Sequence, residues 1–181
     1  MNPPFPRSYW AIPGQILAGC YPGDLDAAQM DVKLDALLRS GVTLVVNLME
    51  ESEKDHFGNP FQDYLPRLTE LAQSRGQAVQ MVRFPIRDQD IPIPAQMREI
   101  LSTIHTANTS GGVVYVHCWG GKGRTATVIG CYLIQRNLET KATILDRLKA
   151  LTAHASKSFW PTPQTAEQGE FITNWNSVNS R

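Results

Sequence analysis

Val113-Val114-Tyr115-Val116-His117-Cys118-Trp119-Gly120-Gly121-Lys122-Gly123-Arg124-Thr125 decides how the chain is read. Four apolar residues form a buried strand. A glycine-rich loop opened by a cysteine follows, and then an arginine at the head of an apolar helix. A thiol there lies among backbone N–H groups, beside a helix N-terminus and a guanidinium, all of which favour negative charge. The spacing Cys118–x5–Arg124 lets the loop curl until the arginine fork faces the sulfur. A planar guanidinium grips two phosphate oxygens at once, which an ammonium cannot. Glycines at 120, 121 and 123 leave the backbone amides open. Thiols in such electropositive loops ionise at pKa values of roughly 3.5–7.5, against ~8.5 for a free cysteine. The hydroxyl of Thr125 is expected to face the sulfur. A nucleophile and an anion cradle in one loop predict phosphoryl transfer through cysteine.

Two other phosphate loops fit less well. A Walker A loop has serine or threonine directly after Gly-Lys, and here Gly123 follows Lys122. Gly121-x-Gly123-x-x-Ala126 matches the dinucleotide fingerprint, but that needs a further strand ending in an acid about twenty residues on. The chain beyond Arg136 reads as helix.

His117-Cys118-x5-Arg124-Thr125 resembles the signature of the cysteine-dependent protein tyrosine phosphatase superfamily, and the short chain resembles its dual-specificity branch, in a small bacterial-type form. Ala126 stands where many relatives carry glycine. Trp10–Gly14 and Ala18–Gly23 are similar to the entry segment of the small members. The resemblance implies a phosphate monoesterase with Cys118 as nucleophile and Arg124 gripping phosphate. The loop residues Trp119, Gly120, Gly121, Lys122 and Gly123 would line the substrate site. It implies a general acid from a Pro-x-x-Asp segment on a mobile loop. In Pro85-Ile86-Arg87-Asp88-Gln89-Asp90 that position is Asp88, with Asp90 as the alternative. Gln164-Thr165-Ala166-Glu167-Gln168 resembles the Gln-Thr-x-x-Gln segment that positions the hydrolytic water. Gln164 is therefore read as catalytic and Gln168 as substrate-binding, both on one helical face.

The bulk numbers agree with one soluble domain. The chain has 181 residues, with 42% hydrophobic and 19% charged. Its 17 basic and 17 acidic residues give a formal net charge of zero, so nothing global draws nucleic acid or an acidic membrane. No apolar run reaches the ~18 residues of a membrane span, and the N-terminus lacks a signal-peptide pattern. Residues 1–8 read as a flexible tail and 9–181 as the phosphatase-like catalytic domain. The three cysteines, Cys20, Cys118 and Cys131, form no C-x-x-C pair, which points to a reducing cytoplasm. Cys131 reads as core packing; Cys20 is a candidate redox partner for Cys118. No metal or other cofactor is expected.

Helical and strand patterns alternate: a strand at Ile16–Ala18, a helix through Met30, Leu34, Leu37 and Leu38, a strand at Thr43–Leu48, and a helix from Tyr64 to Ala72. A strand at Val79–Phe84 and a helix after Pro94 precede the motif. Further helices carry Leu145, Leu148 and Leu151, and open at Thr162-Pro163. The expected fold is a single α/β domain, its mostly parallel central sheet flanked by helices. Ligands then bind beyond the carboxyl ends of the strands, where Cys118 falls.

Four readings remain open at this level. Phosphotyrosine in proteins or peptides, with phosphoserine and phosphothreonine beside it, is the first substrate class. Phosphoinositides or inositol phosphates are the second, because Lys122 adds a cation inside the loop where lipid phosphatases of this superfamily also carry lysine. Those relatives commonly add a second lysine after the cysteine, where this chain has Trp119. The third reading is a phosphate-binding module without turnover. A sulfur- or arsenate-handling cysteine enzyme would need neither Asp88 nor Gln164.

Overall fold

The computed structural model describes residues 1–153 and 161–176. Five strands, β1 (Ser8–Ile12), β2 (Ile16–Gly19), β3 (Val42–Asn47), β4 (Gln80–Arg83) and β5 (Val113–His117), form one sheet in the order β1-β2-β5-β3-β4. β1 and β2 are an antiparallel hairpin, and every other pairing is parallel. The helices are α1 (Ala27–Arg39), α2 (Leu65–Gln73), α3 (Pro94–Thr109), α4 (Arg124–Gln135), α5 (Ile144–Thr152) and α6 (Ala166–Asn174). This is the expected α/β fold.

Alternation along the strands builds two cores. Ile16 and Ala18, Leu44 and Val46, and Val114 and Val116 pack against α3–α6. Leu17, Val45 and Tyr115 point the other way, against α1 and α2. α4 is buried along its whole length from Arg124 to Ile134, which is why its sequence is apolar all round.

Three local expectations change. The N-terminal strand was not anticipated; Tyr9 and Ala11 face one core and Trp10 the other, so the pattern is two-sided and shows no polar face. Part of the segment 1–8, expected as a flexible tail, packs on the sheet. Phe5 is buried, its ring edge-on to Tyr115 at 6.0 Å, and Ser8 already belongs to β1. Burying that ring is worth ~1.5–3 kcal/mol, enough to hold a short segment down. Finally, α6 opens at Thr165 and not at Thr162-Pro163. Thr165 Oγ1 accepts from Gln168 N at 3.2 Å, and Gln168 Oε1 accepts from Thr165 N at 3.3 Å, a reciprocal capping box. Gln164 therefore precedes the helix and shares no helical face with Gln168.

Register positions the site. Gly19 pairs with His117, His117 with Asn47, and Asn47 with Arg83. Four strands thus end level, and the segments after each leave one edge together: the loop at Cys20, the stretch Leu48–Asp63, the loop Phe84–Ile93 and the cysteine loop. Among the described residues no helix is long and apolar enough to cross a membrane.

Candidate active site

Cys118 is 3% exposed, and its Sγ accepts a hydrogen bond from Gly121 N at 3.3 Å. That contact needs the loop to fold back on itself. Gly121 permits it with φ 78°, and a Cβ there would lie 2.5 Å from the backbone carbon of Gly19. Tyr21 N donates to the carbonyl of Trp119 at 3.0 Å, fixing the loop to the chain after β2. Gly123 is closely approached by two side chains. A Cβ on it would fall 2.9 Å from Gln164 Oε1 and 3.0 Å from Gln168 Oε1, so both amides press on the loop.

His117, fully buried, orients the cysteine from behind. Tyr64 Oη lies 2.6 Å from His117 Nε2, and His117 Nδ1 lies 3.3 Å from the Cys118 carbonyl. The pair is satisfied by a neutral ring that donates from Nδ1 and accepts from the tyrosine hydroxyl. Burial depresses the imidazole from 6.5 to about 3, with the charges of Arg83 and Arg124 acting in the same direction. An unfolded chain takes up a proton as pH falls through 6.5, whereas the native ring does not until about 3. Stability attributable to this residue is therefore complete above pH 6.5 and lost as pH falls toward 3. At pH 4.5 the loss is expected to be on the order of 2–3 kcal/mol, from ~1.4 kcal/mol per unit. Urea unfolding at pH 7 and pH 4.5 checks this: a His117→Gln variant should show a shallower fall. Equal falls in both proteins would remove His117 as the cause.

Arg124 is 1% exposed, and its guanidinium is held on three sides. Nη1 donates to Glu53 Oε2 at 2.6 Å and to the Ile86 carbonyl at 2.9 Å. Nη2 donates to Glu53 Oε1 and Asp88 Oδ1, each at 2.8 Å. Burial opposes the charge; the Glu53 hydrogen bonds and the negative charges of Cys118, Glu53 and Asp88 outweigh it and raise the proton affinity of the guanidinium. Its Nε remains buried with no partner, as does the hydroxyl of Thr125. An unmatched buried donor costs ~1–3 kcal/mol, which an anion oxygen would relieve.

Glu53 was not anticipated. Its side chain is 7% exposed and forms the bidentate clamp from 71 residues away. It ends the acidic run Glu50-Glu51-Ser52-Glu53, which by composition reads as a solvated loop. The only hint in the sequence is its position just past the carboxyl end of a buried strand.

The two aspartates of the Phe84–Ile93 loop part company. Asp90 N donates to the Arg87 carbonyl at 3.0 Å, closing a turn with Gln89 at φ 65°. Asp88 then meets Arg124. Asp90 is exposed and accepts from its neighbour Ile91 N at 2.8 Å. Neither caps α3, which has no side-chain cap. Gln168 is fully buried and committed to structure: its Oε1 accepts from Gln164 N and Thr165 N, and its Nε2 donates to the Asp90 carbonyl at 3.1 Å. It ties the acidic loop to α6. Cys20 is buried after β2, and burial raises its thiol. Among the described residues no group of three His, Cys, Asp or Glu side chains could hold a metal ion.

The aromatic wall lies on the other side of the loop. Trp119 packs against His56 at 4.3 Å and Phe61 at 5.3 Å between ring centres. Phe61 in turn meets Tyr21 at 4.9 Å.

Residues 6–160 match the family model described as Swiss Army Knife protein, DSP-PTPase phosphatase domain. Human dual specificity protein phosphatase 15 is 25% identical over 125 residues, covering 68% of this chain and 41% of that protein. The chain spans less than half the length of the curated relatives it matches. Among solved structures, Tk-PTP in the active form superposes with a TM-score of 0.64 at 24% identity, covering 93% of this chain and 95% of the other. PTPMT1 in complex with PI(5)P gives 0.62 at 18% identity, covering 92% and 94%. At these identities the two structures speak for the fold.

Proposed function

From the premise that this chain belongs to the DSP-PTPase phosphatase domain family, we propose that it hydrolyses phosphate monoesters, phosphotyrosine in proteins or peptides first, through a cysteinyl-phosphate. One observation carries this reading. A buried arginine opens α4 six residues after the loop cysteine, clamped by Glu53 and Asp88, with its Nε still lacking an acceptor. A phosphoryl oxygen supplies that acceptor, and the Asp88 carboxyl is then beside the oxygen that must leave.

In the first step the Cys118 thiolate attacks phosphorus. The S–P bond forms as the ester P–O bond breaks, and Asp88 gives its proton to the departing oxygen. Arg124 and the amides of Trp119 to Gly123 hold the remaining oxygens, and the Gly121 amide that bonds the sulfur steadies it. In the second step water, aligned by Gln164, attacks phosphorus. The P–S bond breaks, Asp88 takes up the proton of the water, and phosphate leaves. Gln168 supports this by bracing the acidic loop. The catalytic unit is residues 9–181 together with the segment from Phe5 that packs on it. A thiolate nucleophile suits a reducing compartment, the cytoplasm.

A second substrate class, phosphoinositides or inositol phosphates, is favoured by Lys122 inside the loop and by the PI(5)P complex of the structural relative PTPMT1. One series of assays separates the readings. Hydrolysis of a chromogenic aryl phosphate in excess chelator, with acid quenching to trap phosphocysteine, is expected to succeed. Phosphotyrosine peptides should then outpace phosphoserine/threonine peptides and inositol phosphates assayed beside them. Affinity without turnover would instead identify a phosphate-binding module, and faster inositol phosphate cleavage would promote the second class.

A further inference from the structure

Trp119 follows the nucleophile directly, where an indole takes part in neither step of the chemistry. It lines a cavity of about 310 Å³ beside the loop. Cys118, Arg124 and Asp88 do not border that cavity. A phosphorylated ring must stand over the Cys118 sulfur for attack, so the cavity is a separate space, joined to the phosphoryl cradle through Trp119. Its floor is aromatic and tied down. Trp119 meets His56 at 4.3 Å and Phe61 at 5.3 Å between ring centres, and Phe61 meets Tyr21 at 4.9 Å. Tyr21 N donates to the Trp119 carbonyl at 3.0 Å, and its hydroxyl donates to the carbonyl of Gln62. The tyrosine thus fastens the 61–62 segment to the cysteine loop.

Two large apolar side chains stand in solvent at the rim. Phe57 is 90% exposed and Leu25 79%, and both border the cavity. The backbone beneath each is fixed. Phe57 rides on a tight turn in which Asp55 N donates to the Asn59 carbonyl at 2.9 Å, and Asp55 Oδ1 accepts from Phe57 N at 2.8 Å and Asn59 N at 2.9 Å. Leu25 stands one residue before Asp26, whose carboxylate caps α1 by accepting from Ala28 N at 2.9 Å. Exposed apolar groups beside a concave aromatic surface mark a place where something binds. Charge and size select the occupant. The ionic groups around the cavity balance: Arg7, which reaches the Gly120 carbonyl at 3.5 Å, and Lys33 stand against Asp24 and Asp55, with Lys33 on Asp24 at 2.8 Å. No excess of cations draws an anionic lipid surface here. The volume falls at the lower end of the ~300–1,000 Å³ of ligand pockets, room for one ring-bearing side chain. Aromatic walls favour a ring among them, in edge or offset contact.

We infer that this cavity is a subsite for an aromatic side chain of a peptide substrate, one that neighbours the phosphorylated residue in the bound chain. The inference rests on the phosphatase reading above and narrows its substrate to peptides with a ring near the phosphate. Phe57 and Leu25 are the specificity residues: they close on the ring from the two sides of the rim and lie apart from the Cys118–Arg124 chemistry.

The test uses phosphotyrosine peptides of glycine, alanine and serine in which one phenylalanine is moved through successive positions on either side of the phosphotyrosine. At one position kcat/KM should rise about tenfold over the peptide without phenylalanine, mainly through KM, because the ring is remote from the reacting bond. Leucine there should give a smaller gain, and raised salt should leave the gain in place. Phe57→Ser should bring the gain close to one and leave hydrolysis of a small aryl phosphate unchanged, while Phe57→Leu keeps part of the gain. The unchanged aryl phosphate rate shows that the variant is folded, as expected where the ring lost is 90% exposed. Peptide turnover with no favoured position, or a gain that survives both Phe57→Ser and Leu25→Ser, overturns the subsite and leaves the phosphatase reading standing. Preference for an acylated phosphoinositide over its free headgroup, lost in Phe57→Ser and with no favoured position in peptides, assigns the cavity to an acyl chain and overturns the inference as well. Calorimetry with Cys118→Ser keeps the two proposals apart. Tighter, Phe57-dependent binding of the phenylalanine peptide, where the unaltered protein hydrolyses no phosphate ester, would retain the subsite and dismiss the phosphatase reading.

Discussion

Replacing Cys118 with serine is expected to abolish turnover, by at least ~10⁴-fold, while substrate binding survives. The argument is one of charge. The loop offers the Gly121 amide to the sulfur, a donor that an attacking thiolate would accept. The adjacent imidazole, His117, is taken up by the Cys118 carbonyl and Tyr64, so it is not poised as a base for a serine hydroxyl. An unactivated hydroxyl is a poor nucleophile at neutral pH. The serine oxygen can still accept from Gly121 N, and the amides, Arg124 and its Glu53 clamp remain to grip phosphate. Stopped-assay kinetics with an aryl phosphate, alongside calorimetric titration of a phosphotyrosine peptide, give both halves. Retained turnover in Cys118→Ser would end the covalent mechanism.

The second large effect concerns Asp88. Asp88→Asn should slow alkyl phosphates by ~10²–10⁴-fold and aryl phosphates with good leaving groups far less, because only the poor leaving group needs the proton. Asparagine keeps an oxygen that Arg124 Nη2 can still bond, and Glu53 continues to hold the guanidinium on both nitrogens. Loss of phosphate binding is thus separated from loss of acid catalysis. Asp90→Asn is the natural control: its side chain is exposed and turned onto Ile91 N, so little change is expected. Equal losses on alkyl and aryl esters in Asp88→Asn, or a larger loss in Asp90→Asn, would reassign the acid.

Both effects trace to groups whose roles were legible to different degrees. The cysteine, the arginine and the glycines lie within one strand–loop–helix, where φ > 0, chain reversal and helix start are all local demands. Asp88 was legible only as one of two candidates. The turn at Gln89 sends the two carboxylates in different directions, Asp88 to Arg124 and Asp90 to the Ile91 amide. Gln164 and Gln168 were singled out as a pair on one helical face. The capping box at Thr165 instead put one before the helix and buried the other as a brace on the Asp90 carbonyl. Glu53 could not be distinguished from its acidic neighbours, and Tyr64, seen as a core position, holds the histidine next to Cys118.

By itself the sequence determined the α/β alternation, the parallel sheet and the phosphate-gripping motif, because each is written in residues adjacent along the chain or repeated at the period of a strand or helix. Only the tertiary structure decided which distant groups surround that motif: Glu53 and Asp88 on Arg124, Tyr64 on His117, and Arg7 on Gly120. The physical reason is the level ending of β2, β3, β4 and β5. Sheet register brings segments far apart in sequence to one edge, and no periodicity within any one segment records where the others arrive.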